Sequence, residues 1–149
     1  MIAKQRIGIV GAGMMGHGIA KNLVEKGFLL AVRGHRSRAP IDDLVGRGAT
    51  EVKTNADLAR ASDIVILCVT GAPQVEEVMF GPEGVASAAR PGTIVVDTST
   101  SEPATTAKMR EALAKQDVRF VDAPLARTPV EAEQGRLNTM VGADDATFA

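Results

Sequence analysis

An apolar run, Arg6–Val10, ends directly in Gly11-Ala12-Gly13-Met14-Met15-Gly16. From Met14 to Lys26 apolar residues recur at Met15, Ile19, Leu23 and Val24, the spacing of one helix face, and Gly27 follows as a stop. A strand that turns through G-x-G-x-x-G into a helix is compatible with few folds. The first glycine permits the tight turn, the second lets backbone approach a pyrophosphate, and the third lets helix pack close to strand. Free N–H groups at the helix start meet the phosphate charge. The pattern predicts a dinucleotide held by Gly11, Ala12, Gly13, Met14, Met15 and Gly16. A tight turn that binds nothing is the other role open to it. Met14 and Met15 need not touch the ligand, and Met15 is expected in the core.

The rest of the chain alternates in the same way. Phe28–Val32, Ile64–Val69, Thr93–Asp97, Val118–Asp122 and Leu137–Val141 read as strands. Between them, Ile41–Val45, a segment capped by Asn55 or Asp57 and running through Ala61, Pro73–Phe80, Val85–Ala89 and Pro103 to about Lys115 read as helices. Alternating strands and helices predict an α/β fold: a doubly wound, Rossmann-type, mainly parallel sheet with helices on both faces. Residues 1–149 read as one domain, and Asp144–Ala149 resembles the start of a further helix.

Composition narrows the partners. A formal net charge of −1 predicts no general affinity for nucleic acid or an anionic membrane. With no Trp or Tyr and only four Phe, platforms for stacking bases are absent. The single cysteine, Cys68, excludes an internal disulfide and a Cys-rich metal site, and is expected as a buried thiol in a strand. No metal is expected, and a cytoplasmic location fits this usage. The N-terminal segment has no apolar stretch of about 7–15 residues behind a basic start, so no secretory signal is expected. No run of about 18 apolar residues exists to span a membrane.

The end of the second strand carries information about the cofactor. NAD-binding domains place Asp or Glu there for the ribose hydroxyls. Here the segment reads Arg33-Gly34-His35-Arg36-Ser37-Arg38, with no carboxylate. Guanidinium groups bind a 2′-phosphate that a carboxylate would repel, so His35, Arg36, Ser37 and Arg38 point to NADP, with NAD as the alternative. A solvated basic loop is the other role open to the segment.

Four segments then follow one family in order and spacing: GAGMMGHGIAKNLVEKGF, VILCVTGAPQVEEVMFGPEGV, VVDTSTSEPATTAKM and FVDAPLARTPVEAEQGRLNTMVGAD. Together they cover nearly the whole chain and resemble the β-hydroxyacid dehydrogenases, the family of 3-hydroxyisobutyrate dehydrogenase and tartronate semialdehyde reductase. The resemblance implies that Val69, Thr70 and Gln74 contact the cofactor, with Gln74 where an Asn is common. It implies that Ser99 and Thr100 lie beside nicotinamide and substrate. Read from the residues alone, Thr98–Ser101 is a polar cluster just past a strand's carboxyl end, where open α/β sheets bind ligands. A helix-capping loop before Pro103 is its other possible role.

One segment departs from the family. Relatives commonly carry Ser-Gly-Gly against the substrate carboxylate, and the matching residues here are Ala126-Arg127-Thr128. A similar Arg-Thr replacement occurs in relatives resembling sulfolactaldehyde reductase, whose substrate carries a sulfonate. Arg127 and Thr128 are therefore expected at the substrate's anionic group, or Arg127 in a structural ion pair. The resemblance also implies a catalytic lysine on a second, all-helical domain that makes homo-oligomers. None of Lys4, Lys21, Lys26, Lys53, Lys108 or Lys115 matches that motif, so no catalytic acid is assigned and the chain alone is expected to be inactive. His17, on the first turn after the glycine loop, is expected at the helix surface. The implied parent is an NADP(H)-dependent oxidoreductase of a small anionic β-hydroxyacid or its semialdehyde. A non-catalytic dinucleotide-binding sensor is the alternative.

Overall fold

A computed structural model describes residues 4–149, so the first three residues of the N-terminal stretch read for a secretory signal lie outside it. Six parallel strands form the main sheet in the order β3-β2-β1-β4-β5-β6. They are β1 (Arg6–Val10), β2 (Leu29–Arg33), β3 (Thr50–Val52), β4 (Ile64–Leu67), β5 (Ile94–Asp97) and β6 (Arg119–Asp122). β1 pairs on one side with β2, Gly8 opposite Ala31, and on the other with β4, Gly8 opposite Val65. Strand order reverses at that junction, so a crevice opens beyond the carboxyl ends of β1 and β4.

Each strand sends alternate side chains to opposite faces, and each face has its own core. On one face Ile7, Ile9, Leu30 and Val32 pack under α1 (Met14–Glu25) and α2 (Ala39–Gly46) through Ala20, Ile41 and Leu44. On the other, Val10, Val65, Leu67, Val95 and Phe120 pack under α3 (Asn55–Arg60), α4 (Ala72–Phe80) and α5 (Pro103–Ala114). Leu58, Val75, Met79, Met109 and Leu113 supply those helices' contribution. Burying a side chain such as Leu67 or Leu113 completely stabilises by about 1.5–3 kcal/mol. The doubly wound architecture read from the alternation is therefore present.

Several boundaries differ, each for a local reason. The residue that caps α3 is Thr54, whose hydroxyl accepts the Asp57 amide at 2.9 Å, rather than Asn55 or Asp57. Val85–Ser87 is a single 3-10 turn. Val69 and Thr93 lie outside their strands. β3 carries a charged residue at its centre and only three residues, so no hydrophobic pattern marks it. The stretch Leu137–Val141 contributes only β8 (Asn138–Thr139), which pairs antiparallel with β7 (Leu125–Ala126) in a separate ribbon. The expected apolar stripe on α1 is half-buried, Met15 included, while Gly16, Gly18 and Ala20 are its deepest positions. At Gly18 a small residue is required because α6 (Pro129–Glu133) crosses α1 closely there. A Cβ on Gly18 would stand 2.6 Å from the Ala132 carbonyl carbon. The closing residues do begin a helix, α7 (Asp145–Phe148), capped by Asp144.

Candidate functional site

The three glycines of the first loop have three different surroundings. Gly11 has φ +98°, and a Cβ there would stand 2.1 Å from the Cys68 carbonyl oxygen. A Cβ on Gly16 would meet the Gly11 carbonyl oxygen at 1.7 Å, so β1 and α1 close only on glycine. A Cβ on Gly13 would meet nothing within 4 Å. Protein packing explains the first and third glycines and leaves the second facing open space. Gly13 is also the N-cap of α1, where no side chain accepts a hydrogen bond and no acidic residue stands in the first turn. Free amides and the positive end of the helix dipole therefore point into that space. A groove of about 600 Å³ runs there, lined by Ala12, Gly13, Met14 and Pro40. The loop fits a pyrophosphate by chemistry and by room.

The loops after β4 and β5 meet the glycine loop at the same edge of the sheet. Val69 donates its amide to Ser99 Oγ at 3.0 Å. Ser99 in turn donates its amide to Asp97 Oδ1 at 2.9 Å, and Ser101 Oγ donates to Asp97 Oδ2 at 2.7 Å. Asp97 is fully buried and Ser99 nearly so, which sets Ser99 beneath the loop surface. Thr70, Gln74 and Thr100 are exposed. A Cβ on Gly71 would lie 3.5 Å from the Thr100 carbonyl and 3.8 Å from Gln74 Oε1, so these residues share one rim. Cys68 sits just past β4, largely covered, and burial pushes its thiol pKa up despite the Thr98 hydroxyl nearby. A thiol held protonated is a poor nucleophile, which agrees with the covered strand-end thiol expected of Cys68. Asp122, at the end of β6, is raised by burial and by the neighbouring Asp97 charge.

The basic segment divides into committed and uncommitted cations. Arg33 turns inward, donating to the Lys53 carbonyl at 3.4 Å and to Asn55 Oδ1 at 3.2 Å. Arg38 pairs with Glu51 at 2.5 and 3.0 Å and with Asp42 at 2.8 Å. His35, Arg36 and Ser37 are exposed, and Arg36 has no acidic partner among the described residues. Glu51 carries no signal in the sequence, since it reaches this segment only through the β2–β3 register that sets Val32 opposite it.

Arg127 and Thr128 stand on the turn between β7 and α6. Arg127 is exposed with φ +84°. The Asn138 amide oxygen, in the orientation that satisfies both groups, accepts from Arg127 Nε and Nη2 at 3.3 Å each. Thr128 caps α6: Glu131 Oε2 accepts its amide at 3.0 Å and its hydroxyl as well. Thr-x-x-Glu is a capping-box spacing, so this signal was readable in the sequence. His17 is half-buried at the foot of the groove, with Nδ1 2.7 Å from Glu133 and Nε2 2.8 Å from Asp43. Burial opposes its charge, but the two carboxylates hold its pKa above the ordinary value. Among the described residues no group of His, Cys, Asp and Glu is placed to hold a metal, and no helix is long and apolar enough to cross a membrane.

Residues 6–149 match the family described as the NAD binding domain of 6-phosphogluconate dehydrogenase. The chain belongs to that family. This NAD-binding domain is 38% identical over 143 residues to 2-(hydroxymethyl)glutarate dehydrogenase of Eubacterium barkeri, covering 96% of this chain and 47% of the relative. It is 35% identical over 144 residues to 2-hydroxy-3-oxopropionate reductase of Escherichia coli, covering 96% and 48%. A solved structure described as Psf3 in complex with NADP+ and 2-OPP superposes with a TM-score of 0.88 at 29% identity, covering 95% of this chain and 50% of that one. The NAD-binding domain thus spans about half the length of the curated relatives it matches.

Proposed function

We propose that this chain is the NADP(H)-binding half of an oxidoreductase acting on a small anionic β-hydroxyacid or its semialdehyde. The observation that carries the reading is the open space over Gly13, into which an uncapped helix start points, with Arg36 uncommitted on the segment after β2. The pyrophosphate would lie against the amides of Gly11–Gly16, and a 2′-phosphate against Arg36 and the neighbouring His35 and Ser37. When bound, the nicotinamide supplies the hydride acceptor or donor.

This chain's own residues bind and orient. Val69, Thr70 and Gln74 form one wall of the crevice, with Ser99 fixing Val69 from below. Thr100 and Arg127 are exposed past the carboxyl ends of β5 and β7 and would meet the substrate's polar and anionic groups. Thr128 holds the start of α6 and so positions Arg127. A second, helical domain would add the proton donor and the oligomer contacts. Relatives named as 2-(hydroxymethyl)glutarate dehydrogenase and 2-hydroxy-3-oxopropionate reductase support the substrate class.

Titrating the chain with NADPH and NADH tests the binding half of the reading. Binding that survives Gly13→Val would overturn it. Turnover screening of the parent protein against β-hydroxyacids and their semialdehydes tests the rest. An absence of hydride transfer with every substrate, beside intact cofactor binding, would favour a non-catalytic module.

A further inference from the structure

The position just after β2 is occupied by an ion pair. Gly34 follows the last residue of that strand, and a Cβ there would stand 2.7 Å from Glu51 Oε1 and 2.9 Å from Arg38 Nη1. Glu51 belongs to the neighbouring strand, β3, and reaches across it. Its two oxygens hold Arg38 Nη1 at 2.5 Å and Nη2 at 3.0 Å, a two-point pair, and Asp42 takes Nη2 again at 2.8 Å. A larger residue at position 34 would displace this pair. The carboxylate missing from the end of β2 is thus replaced in space by one from β3.

Opposite consequences follow for the two arginines. Arg38 is compensated by two carboxylates, whereas Arg36, two residues away, faces solvent without an anionic partner among the described residues. A phosphate arriving here competes with Glu51 for Arg38 and is repelled by the Glu51 charge.

We propose that Glu51 is a specificity-determining residue that weakens discrimination between a 2′-phosphate and a free 2′-hydroxyl by sequestering Arg38 beside the adenosine ribose. The inference rests on reading the segment after β2 as the ribose end of a dinucleotide site. Wild-type preference for NADPH then comes from Arg36, with Arg38 held in reserve.

The test uses the 149-residue chain titrated with NADPH and NADH at one ionic strength. The variants are Glu51→Gln, Arg38→Gln and the two combined, each with a thermal melt. Glu51→Gln keeps the shape of a half-exposed side chain and removes its charge. It is expected to raise the NADPH-over-NADH affinity ratio about fivefold, the scale of losing one exposed charge pairing. Arg38→Gln in the Glu51→Gln background should return most of that gain. In the wild-type background Arg38→Gln should change the ratio by about twofold or less. An unchanged or lower ratio in Glu51→Gln overturns the inference, as does an equal effect of Arg38→Gln in both backgrounds. Failure of the underlying reading looks different: neither cofactor binds the wild-type chain, or Gly13→Val leaves binding intact, and the inference falls with it.

Discussion

Ser99 Oγ accepts the Val69 amide at 3.0 Å across the gap between the loop after β5 and the loop after β4. Ser99 is itself held by Asp97 through its amide, so the buried carboxylate at the end of β5 sets the height of both loops. Ser99→Ala leaves the Val69 amide without its acceptor. Val69 is half-buried, so losing its partner should cost about 1 kcal/mol, the lower end for an unsatisfied polar group, and the melting temperature should fall accordingly. Cofactor affinity should fall with it, because Val69 and Thr70 lose their fixed position. A variant with native melting and native affinity would remove Ser99 from any role in the crevice.

Two glycines five positions apart, Gly13 and Gly18, should fail in different ways. Gly13→Val adds atoms where the protein has none, so the fold should persist while cofactor binding is lost. Gly18→Val drives atoms into the Ala132 backbone and should separate α6 from α1, lowering the melting temperature. Calorimetry and cofactor titration of the two variants separate the ligand-facing glycine from the packing one.

His17 links three helices through charge. Asp43 on α2 faces it from one side and Glu133 on α6 from the other. Arg47 also binds Asp43 and Glu25, and Lys21 also binds Glu133. Because the folded ring holds its proton above its ordinary 6.5, folding is favoured by protonation. That contribution is complete below the ordinary value and is lost as pH rises through the raised one. Both carboxylates are held below their ordinary values and stay charged throughout. The melting temperature should therefore decline across that window in the wild-type chain, and His17→Gln should flatten the decline. Parallel pH profiles for the two proteins would show that the network contributes no pH dependence.

The sequence disclosed what repeats locally and concealed what depends on register. The glycine loop, β1 and α1 were legible because turn chemistry and a 3.6-residue period coincide within the first 26 residues. β3 was not, since Thr-Glu-Val at a sheet edge buries little and carries a charge at its centre. Glu51 follows from β3, so it was hidden with it. Arg38's pairing with Asp42, four positions on, was within reach of the sequence, but its two-point partner Glu51 lies 13 positions away on that strand. Leu137–Val141 looked like a sheet strand from its apolar residues, yet Met140 and Val141 are exposed and only two residues pair. His17 read as a surface residue, and its partner Glu133, 116 positions away, meets it only after α6 has crossed α1.

Arg127 holds a backbone conformation suited to glycine, with φ +84°. A left-handed residue with a side chain costs roughly 1–2 kcal/mol, and such strain persists where surrounding structure or function requires it. Asn138 accepts from the guanidinium at 3.3 Å and the Glu131 carboxylate lies within reach of its charge, but no carboxylate forms an ion pair with it among the described residues. Stability and function should therefore move in opposite directions at this position. Arg127→Gly should keep or raise the melting temperature of the chain by relieving the turn. If the parent protein is the β-hydroxyacid oxidoreductase proposed above, the same change should lower its kcat/KM on the best anionic substrate by about 30-fold or more, the scale of removing a charged partner from a desolvated site. Cofactor affinity should change far less. Arg127→Ala keeps the strain and removes the charge, so it should lose kcat/KM equally without the gain in melting temperature. If kcat/KM survives both substitutions, Arg127 serves the turn and the substrate's anionic group is met elsewhere.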